Sequence, residues 1–209
     1  MPDPPYRIVT PRLVVRCWEP RDAPLLKAAV DSSIEHLRPW LPWAEDEPQP
    51  LAAKVELLRR FRGWFDLGQD FVYGILDPEE TEAIGGTGLH TRVGTGAFEI
   101  GYWIRESRTR HGLAAEAAAA LTRAAFEICG VDRVEIRCDP ANTASIAIPR
   151  RLGFREEATL GRRSPARAGE DVKRDVVVFT LFRDDLAVTP AAAVSYEAYD
   201  AAGSELGRG

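Results

Sequence analysis

Few cysteines, no long apolar run and no basic surplus set the first limits on this 209-residue chain. Its three cysteines, Cys17, Cys129 and Cys138, are odd in number and form no Cys-x-x-Cys pair. They read as small core residues in a reducing compartment, not as disulfides or metal ligands. The most apolar stretch, Leu113 to Val131, is broken by Glu116, Arg123 and Glu127 and makes a poor membrane span. The amino terminus, MPDPPYRIVTPRL, lacks a basic segment leading into an apolar one, so no secretory leader is expected. A formal net charge of -5 excludes a general nucleic-acid binder, which needs a basic surplus. Neither a GKS/GKT phosphate loop nor GxGxxG is present. The expectation is a cytoplasmic protein with no metal, membrane or nucleic-acid partner.

What is present is a mixed pattern of strands and helices. RIVTPRLVVRCW reads as a first strand with a Pro-punctuated turn or bulge. Glu19 to Ser32 reads as a helix with Pro20 and Asp22 in its first turn. A loop crowded by Pro39, Pro42, Pro48 and Pro50 follows, then a helix from Leu51 to Phe65. Phe71 to Leu76, Ala83 to Arg92 and Ala97 to Ile104 read as three antiparallel strands separated by DPEET and VGTG. A helix from Leu113 to Cys129 comes next, then a half-buried strand from Arg133 to Cys138. A short helix spans Asn142 to Leu152, and strands near Phe154 to Leu160 and Asp175 to Phe182 complete the pattern. Arg162, Arg163 and Arg167 fall in an expected flexible loop between those two strands. Residues 1–187 form one domain in this reading, and 188–209 form a flexible, alanine- and glycine-rich tail. Three consecutive strands without crossover helices exclude a doubly wound sheet.

The stretch RTRHGLAAEA, Arg108 to Ala117, joins a strand to a helix start. Unpaired amides and the helix dipole make such a start an anion site. Gly112, Ala114 and Ala115 keep a ligand's approach to the backbone clear, and Arg108, Arg110 and His111 add charge. An ordinary polar turn accounts for the same residues.

Three pieces in order, FEIGYWI (Phe98 to Ile104), RTRHGLAA and NTASIAIPRRLGF (Asn142 to Phe154), resemble the GNAT acyltransferase superfamily. EHLRPWLPW, Glu35 to Trp43, resembles its RimJ/RimL subfamily of protein N-terminal acetyltransferases. The resemblance spans residues 7–183. It implies an α/β fold with a mixed, mostly antiparallel central sheet of about seven strands and about four helices, splayed in the middle to hold acyl-CoA. It implies transfer of an acyl group, acetyl or another short one, from coenzyme A to a primary amine. The family's Q/R-x-x-G-x-G/A loop maps onto Thr109, Gly112 and Ala114, with Thr109 departing from the pattern. Amides from Arg110 through His111, Gly112, Leu113 and Ala114 to Ala115 then hold the pyrophosphate. The backbone of Glu99, Ile100, Tyr102, Trp103 and Ile104 holds the pantetheine arm as an added strand.

By the same resemblance Glu99 takes a proton from the amine, directly or through water, and Ser145 serves the departing thiolate. Asn142 anchors the pantetheine or simply caps its helix. Pro149 removes the helical bond to the Ser145 carbonyl. His36, Trp40 and Trp43 line the acceptor groove, although core packing explains tryptophans as well. An α-amino group has a pKa near ~7.8 against ~10.4 for lysine, so a protein N-terminus is the easier nucleophile. A small amine such as an aminoglycoside-like antibiotic or a polyamine, a lysine side chain, and a non-catalytic acyl-CoA-binding module are the rivals. The oligomeric state stays open, a homodimer included.

Overall fold

The computed structural model describes residues 3–166 and 171–209. Pro11 shapes its first departure from the sequence reading. The Thr10 amide bonds to the Leu13 carbonyl at 2.9 Å, closing a turn around Pro11. The expected single strand is therefore a hairpin of β1 (Arg7–Val9) and β2 (Val14–Cys17). The other strands are β3 (Phe71–Leu76), β4 (Ala83–His90), β5 (Ala97–Ile104), β6 (Arg133–Cys138), β7 (Arg155–Ser164), β8 (Arg174–Phe182), β9 (Glu197–Tyr199) and β10 (Glu205–Arg208). They form one sheet in the order β10-β9-β1-β2-β3-β4-β5-β6-β8-β7. Only the β5–β6 neighbours run parallel; the other paired neighbours are antiparallel.

Five α-helices occur among the described residues: α1 (Ala23–Asp31), α2 (Ile34–Leu37), α3 (Leu51–Asp66), α4 (Leu113–Glu127) and α5 (Thr143–Leu152). Alternation along β5 separates two cores. Phe98 and Ile100 join the main core with Val15, Ile75, Val134, Phe179 and α4, whereas Trp103 packs on a smaller cluster of Trp18, Leu26, Ala29 and Leu58 under α1 and α3. Ala117, Ala118, Ala119 and Ala120 are all fully buried. A helix carrying only methyl groups there can lie close to the sheet and be enclosed nearly all round. All three cysteines are free and buried, as core residues should be.

Three expectations need correction. The sheet has ten strands, not seven. The three additions come from the split first strand and from the tail, where composition points to flexibility from residue 188. Instead β9 pairs with β1 and β10 with β9. Ala191, Tyr196 and Ala198 are buried, the Tyr196 hydroxyl donates to Glu127 at 2.8 Å, and Arg123 donates to the Val194 carbonyl at 2.8 Å. Small residues that read as loose in composition are what fits against α4, and they cover the β1 edge. Arg162 and Arg163 were placed in a flexible loop; both lie in β7, with Arg162 at φ 56 where the β7–β8 register shifts. Arg167 lies outside the described residues. Among the described residues no helix is long and apolar enough to cross a membrane.

Candidate active site

β5 and β6 pair from Ala97/Arg133 to Ile100/Ile136 and then part. Beyond that point β5 stays bonded to β4 as far as Ile104, and β6 to β8 as far as Cys138. The facing backbone edges of Gly101 to Ile104 and of Arg137 and Cys138 thus look into a gap. Both strands are followed by helices, α4 and α5, whose N-termini open at the same end of the sheet. Ligands of open α/β sheets settle where strands end and helices begin. A cleft of about 730 Å³ lies there.

One wall is the strand–helix loop. The Thr109 hydroxyl and amide both bond to the Glu106 carbonyl, so Thr109 is held locally although it borders the cleft. Arg110 at φ 65 and Gly112 at φ 78 curl the backbone into the left-handed region. Glu116 is the first amide of α4 bonded back, to the Gly112 carbonyl at 3.1 Å. Among the described residues no protein oxygen accepts from the amides of Arg110 to Ala115. Arg110, Gly112, Leu113, Ala114 and Ala115 line the cleft. His111 does not; its carbonyl is turned away and accepts from Arg12 at 2.9 Å. Six neighbouring amides at a helix start, with Gly112, Ala114 and Ala115 leaving room over them, suit a diphosphate.

Ser145 sits in the opposite wall. Asn142 caps α5, its side chain accepting from the Ser145 amide at 3.0 Å. The Ser145 hydroxyl lies 3.2 Å from the Cys138 sulfur and 3.4 Å from the Tyr102 hydroxyl. Pro149 has no amide to give the Ser145 carbonyl, and the Tyr102 hydroxyl donates to that carbonyl instead, at 3.0 Å. The proline thus turns a helical bond into a strut across the cleft. Burial raises the Tyr102 phenol and the Cys138 thiol above their ordinary ranges, so both carry their protons at neutral pH. Tyr102→Phe is expected to lower kcat about tenfold through a misplaced serine and to cost about 1 kcal/mol of stability. Its acetyl-CoA KM should stay within twofold; steady-state kinetics and a urea melt check this.

Glu99 is buried at the cleft, 6 % exposed. Both its oxygens are engaged: Arg92 Nε lies 3.0 Å from Oε2 and an Arg92 terminal nitrogen 2.5 Å from Oε1. Arg137 Nε lies 3.7 Å from Oε2. This pairing raises the Arg92 pKa further. The Arg92 side chain is 59 % exposed, so the pair faces solvent on the arginine side. His90 faces Glu99 across the β4–β5 register, with Nδ1 2.9 Å from Asp70.

His36, Leu37, Trp40 and Leu41 bring the segment around α2 to the cleft, the end that the sequence reading assigns to the acceptor. Trp43 does not line it; it packs edge-on against Trp103 at 5.8 Å and is 40 % exposed. Ile100, Trp103 and Ile104 line the cleft as expected from the sequence. Arg92 and Cys138 were missed. The hairpin register around VGTG sets Arg92 diagonally across from Glu99 and was the available signal.

A family model described as an acetyltransferase (GNAT) domain matches residues 12–155. The [ribosomal protein uS5]-alanine N-acetyltransferase of Escherichia coli (strain K12) is 31% identical over 160 residues, 74% of this chain and 80% of the relative. The solved structure of Mycobacterium smegmatis RimJ in complex with CoA-disulfide shares the fold, with a TM-score of 0.77 and 24% identity over 91% of this chain and 92% of that one. So does the ribosomal-protein-S5-alanine acetyltransferase from Vibrio fischeri, with a TM-score of 0.72 and 19% identity over 86% and 98% of the two chains. With the parted strands and free amides already described, the match over residues 12–155 settles the family: the chain belongs to the GNAT acetyltransferases.

Proposed function

We propose that this acetyltransferase moves an acetyl group from acetyl-CoA to the free N-terminal amine of a protein. A ribosomal protein is the acceptor class for which the Escherichia coli relative is named. The observation that carries the cofactor half is the run of unbonded amides from Arg110 to Ala115 at the mouth of the β5–β6 gap. They fit a pyrophosphate, and the exposed backbone edge of Gly101 to Ile104 fits the amides of a pantetheine arm. The thioester then comes to Ser145 at the far end of that track.

A neutral amine attacks the thioester carbonyl, the C–N bond forms, and the C–S bond breaks. The Ser145 hydroxyl, hydrogen-bonded among Cys138 and Tyr102, is the donor placed to serve the departing sulfur. The Glu99–Arg92 pair takes the amine's proton through water. Holding the two reactants together supplies most of the rate enhancement. An α-amino group with a pKa near ~7.8 is already partly neutral at physiological pH, which matches a site whose Glu99 carboxylate is tied to arginine.

An acceptor panel tests this. Peptides with free N-termini should release coenzyme A thiol and gain one acetyl group by mass spectrometry. N-blocked peptides with internal lysine and alkyl polyamines should turn over at least tenfold more slowly on the pKa difference, and aminoglycosides should turn over more slowly if the acceptor end is built for a peptide. Turnover of small amines with inert peptides defeats the N-terminal assignment. Acetyl-CoA binding without turnover on any acceptor returns the non-catalytic reading.

A further inference from the structure

The hairpin turn at the start of the chain is bolted to the cofactor loop. Glu116 lies in the first turn of α4 and is 9 % exposed. Its Oε1 accepts from the Thr10 hydroxyl at 2.6 Å and the Arg12 amide at 3.2 Å, and its Oε2 accepts from Arg12 Nε at 2.7 Å. The same guanidinium donates to the His111 carbonyl at 2.9 Å. A trans peptide points its C=O and N–H in opposite directions. Fixing the His111 carbonyl on Arg12 therefore turns the Gly112 amide the other way, away from the hairpin. A Cβ on Gly112 would lie 3.7 Å from the guanidinium, so Arg12 backs the loop from behind. Arg12 itself does not line the cleft.

We propose that Arg12 and Glu116 are positioning residues for the diphosphate grip, acting through the orientation of the His111–Gly112 peptide. This rests on the acetyl-CoA reading above. Arginine suits the task because one planar fork can hold a carboxylate and a carbonyl at once, which an ammonium point charge cannot. Glu116 serves as the anchor that sets the fork: its carboxylate is fully engaged by donors, and its place near the helix start is itself favourable.

The test compares acetyl-CoA with S-acetyl-pantetheine, which has the thioester but no diphosphate. Arg12→Gln should raise the acetyl-CoA KM about tenfold, the loss of roughly one well-placed hydrogen bond. Its kcat should hold, and kcat/KM for S-acetyl-pantetheine should stay within twofold. Arg12→Lys keeps the charge without the fork and should lose nearly as much. The double variant Arg12→Gln/Glu116→Gln removes any unpaired carboxylate and should show the same split between substrates. An unchanged acetyl-CoA KM, full rescue by lysine, or equal losses on both substrates would overturn the proposal. Failure of the unaltered protein to bind or use acetyl-CoA would remove the underlying reading, and the proposal with it.

Discussion

Replacing Ala114 with glutamate is expected to abolish acetyl-CoA binding while leaving the fold intact. Ala114 is the second residue of α4 and borders the cleft among the unbonded amides. A carboxylate there accepts from the amides that would hold the diphosphate, and it repels the ligand's own negative charge. At low effective dielectric such like-charge contact costs several kcal/mol, so a loss of about a hundredfold or more follows, equivalent to about 2.7 kcal/mol. The same carboxylate suits a helix start, contributing about 0.3–1 kcal/mol to folding. Affinity and stability should therefore move in opposite directions. Calorimetry with coenzyme A beside a thermal melt reads both. Normal affinity in this variant would mean that the diphosphate is held elsewhere.

The second large effect lies in the segment that leads from α2 to α3. Lys54, in the first turn of α3, and Glu47, in the preceding loop, form an ion pair with side chains 3 % and 6 % exposed. Glu47 also accepts from the Gln49 amide at 2.8 Å, and its carbonyl accepts from Arg38 at 2.8 Å. Lys54→Ala leaves that carboxylate buried without its cation. Stability should fall by about 3–5 kcal/mol, and the acceptor KM should rise because the segment from Arg38 to Gln49 carries the cleft residues Trp40 and Leu41. The pair itself is not the source of that energy. Exchanging both partners, Glu47→Leu with Lys54→Met, should recover most of the loss, since an apolar pair of similar volume escapes the desolvation cost. Urea unfolding of the single and double variants gives the cycle; a single variant within 1 kcal/mol of the parent would refute the assignment.

How far the sequence could be read depended on the range of the interactions concerned. Strand alternation in Phe98 to Ile104 and Arg133 to Cys138, and the glycine that opens α4, are local signals, and they mark the two strands and the helix start where the structure has them, whereas the parting of the strands was implied only by the family resemblance. The Asn142 cap is local as well. Pro149 correctly announced a carbonyl with no helical donor, but the sequence could not say that Tyr102, 43 residues earlier, would supply the replacement. Arg12 and Glu116 meet across 104 residues, and no period or motif encodes such a meeting. Arg92 and Glu99 are only seven residues apart, and drawing the hairpin register would have paired them. The tail misled for a different reason. Alanine and glycine signal disorder when they are exposed, yet beside a helix of buried alanines they are the residues thin enough to pack.

On the proposed reading the grip on the diphosphate comes from main-chain hydrogens, which governs what drift the loop can absorb. Thr109 already shows that a departure from the usual residue leaves those hydrogens in place. Spelling there can be rewritten so long as bulk and acid stay out. Length cannot: one residue gained or lost between Leu113 and the buried Ala117 turns the helix start by about 100° against its packed face and carries every donor off its mark.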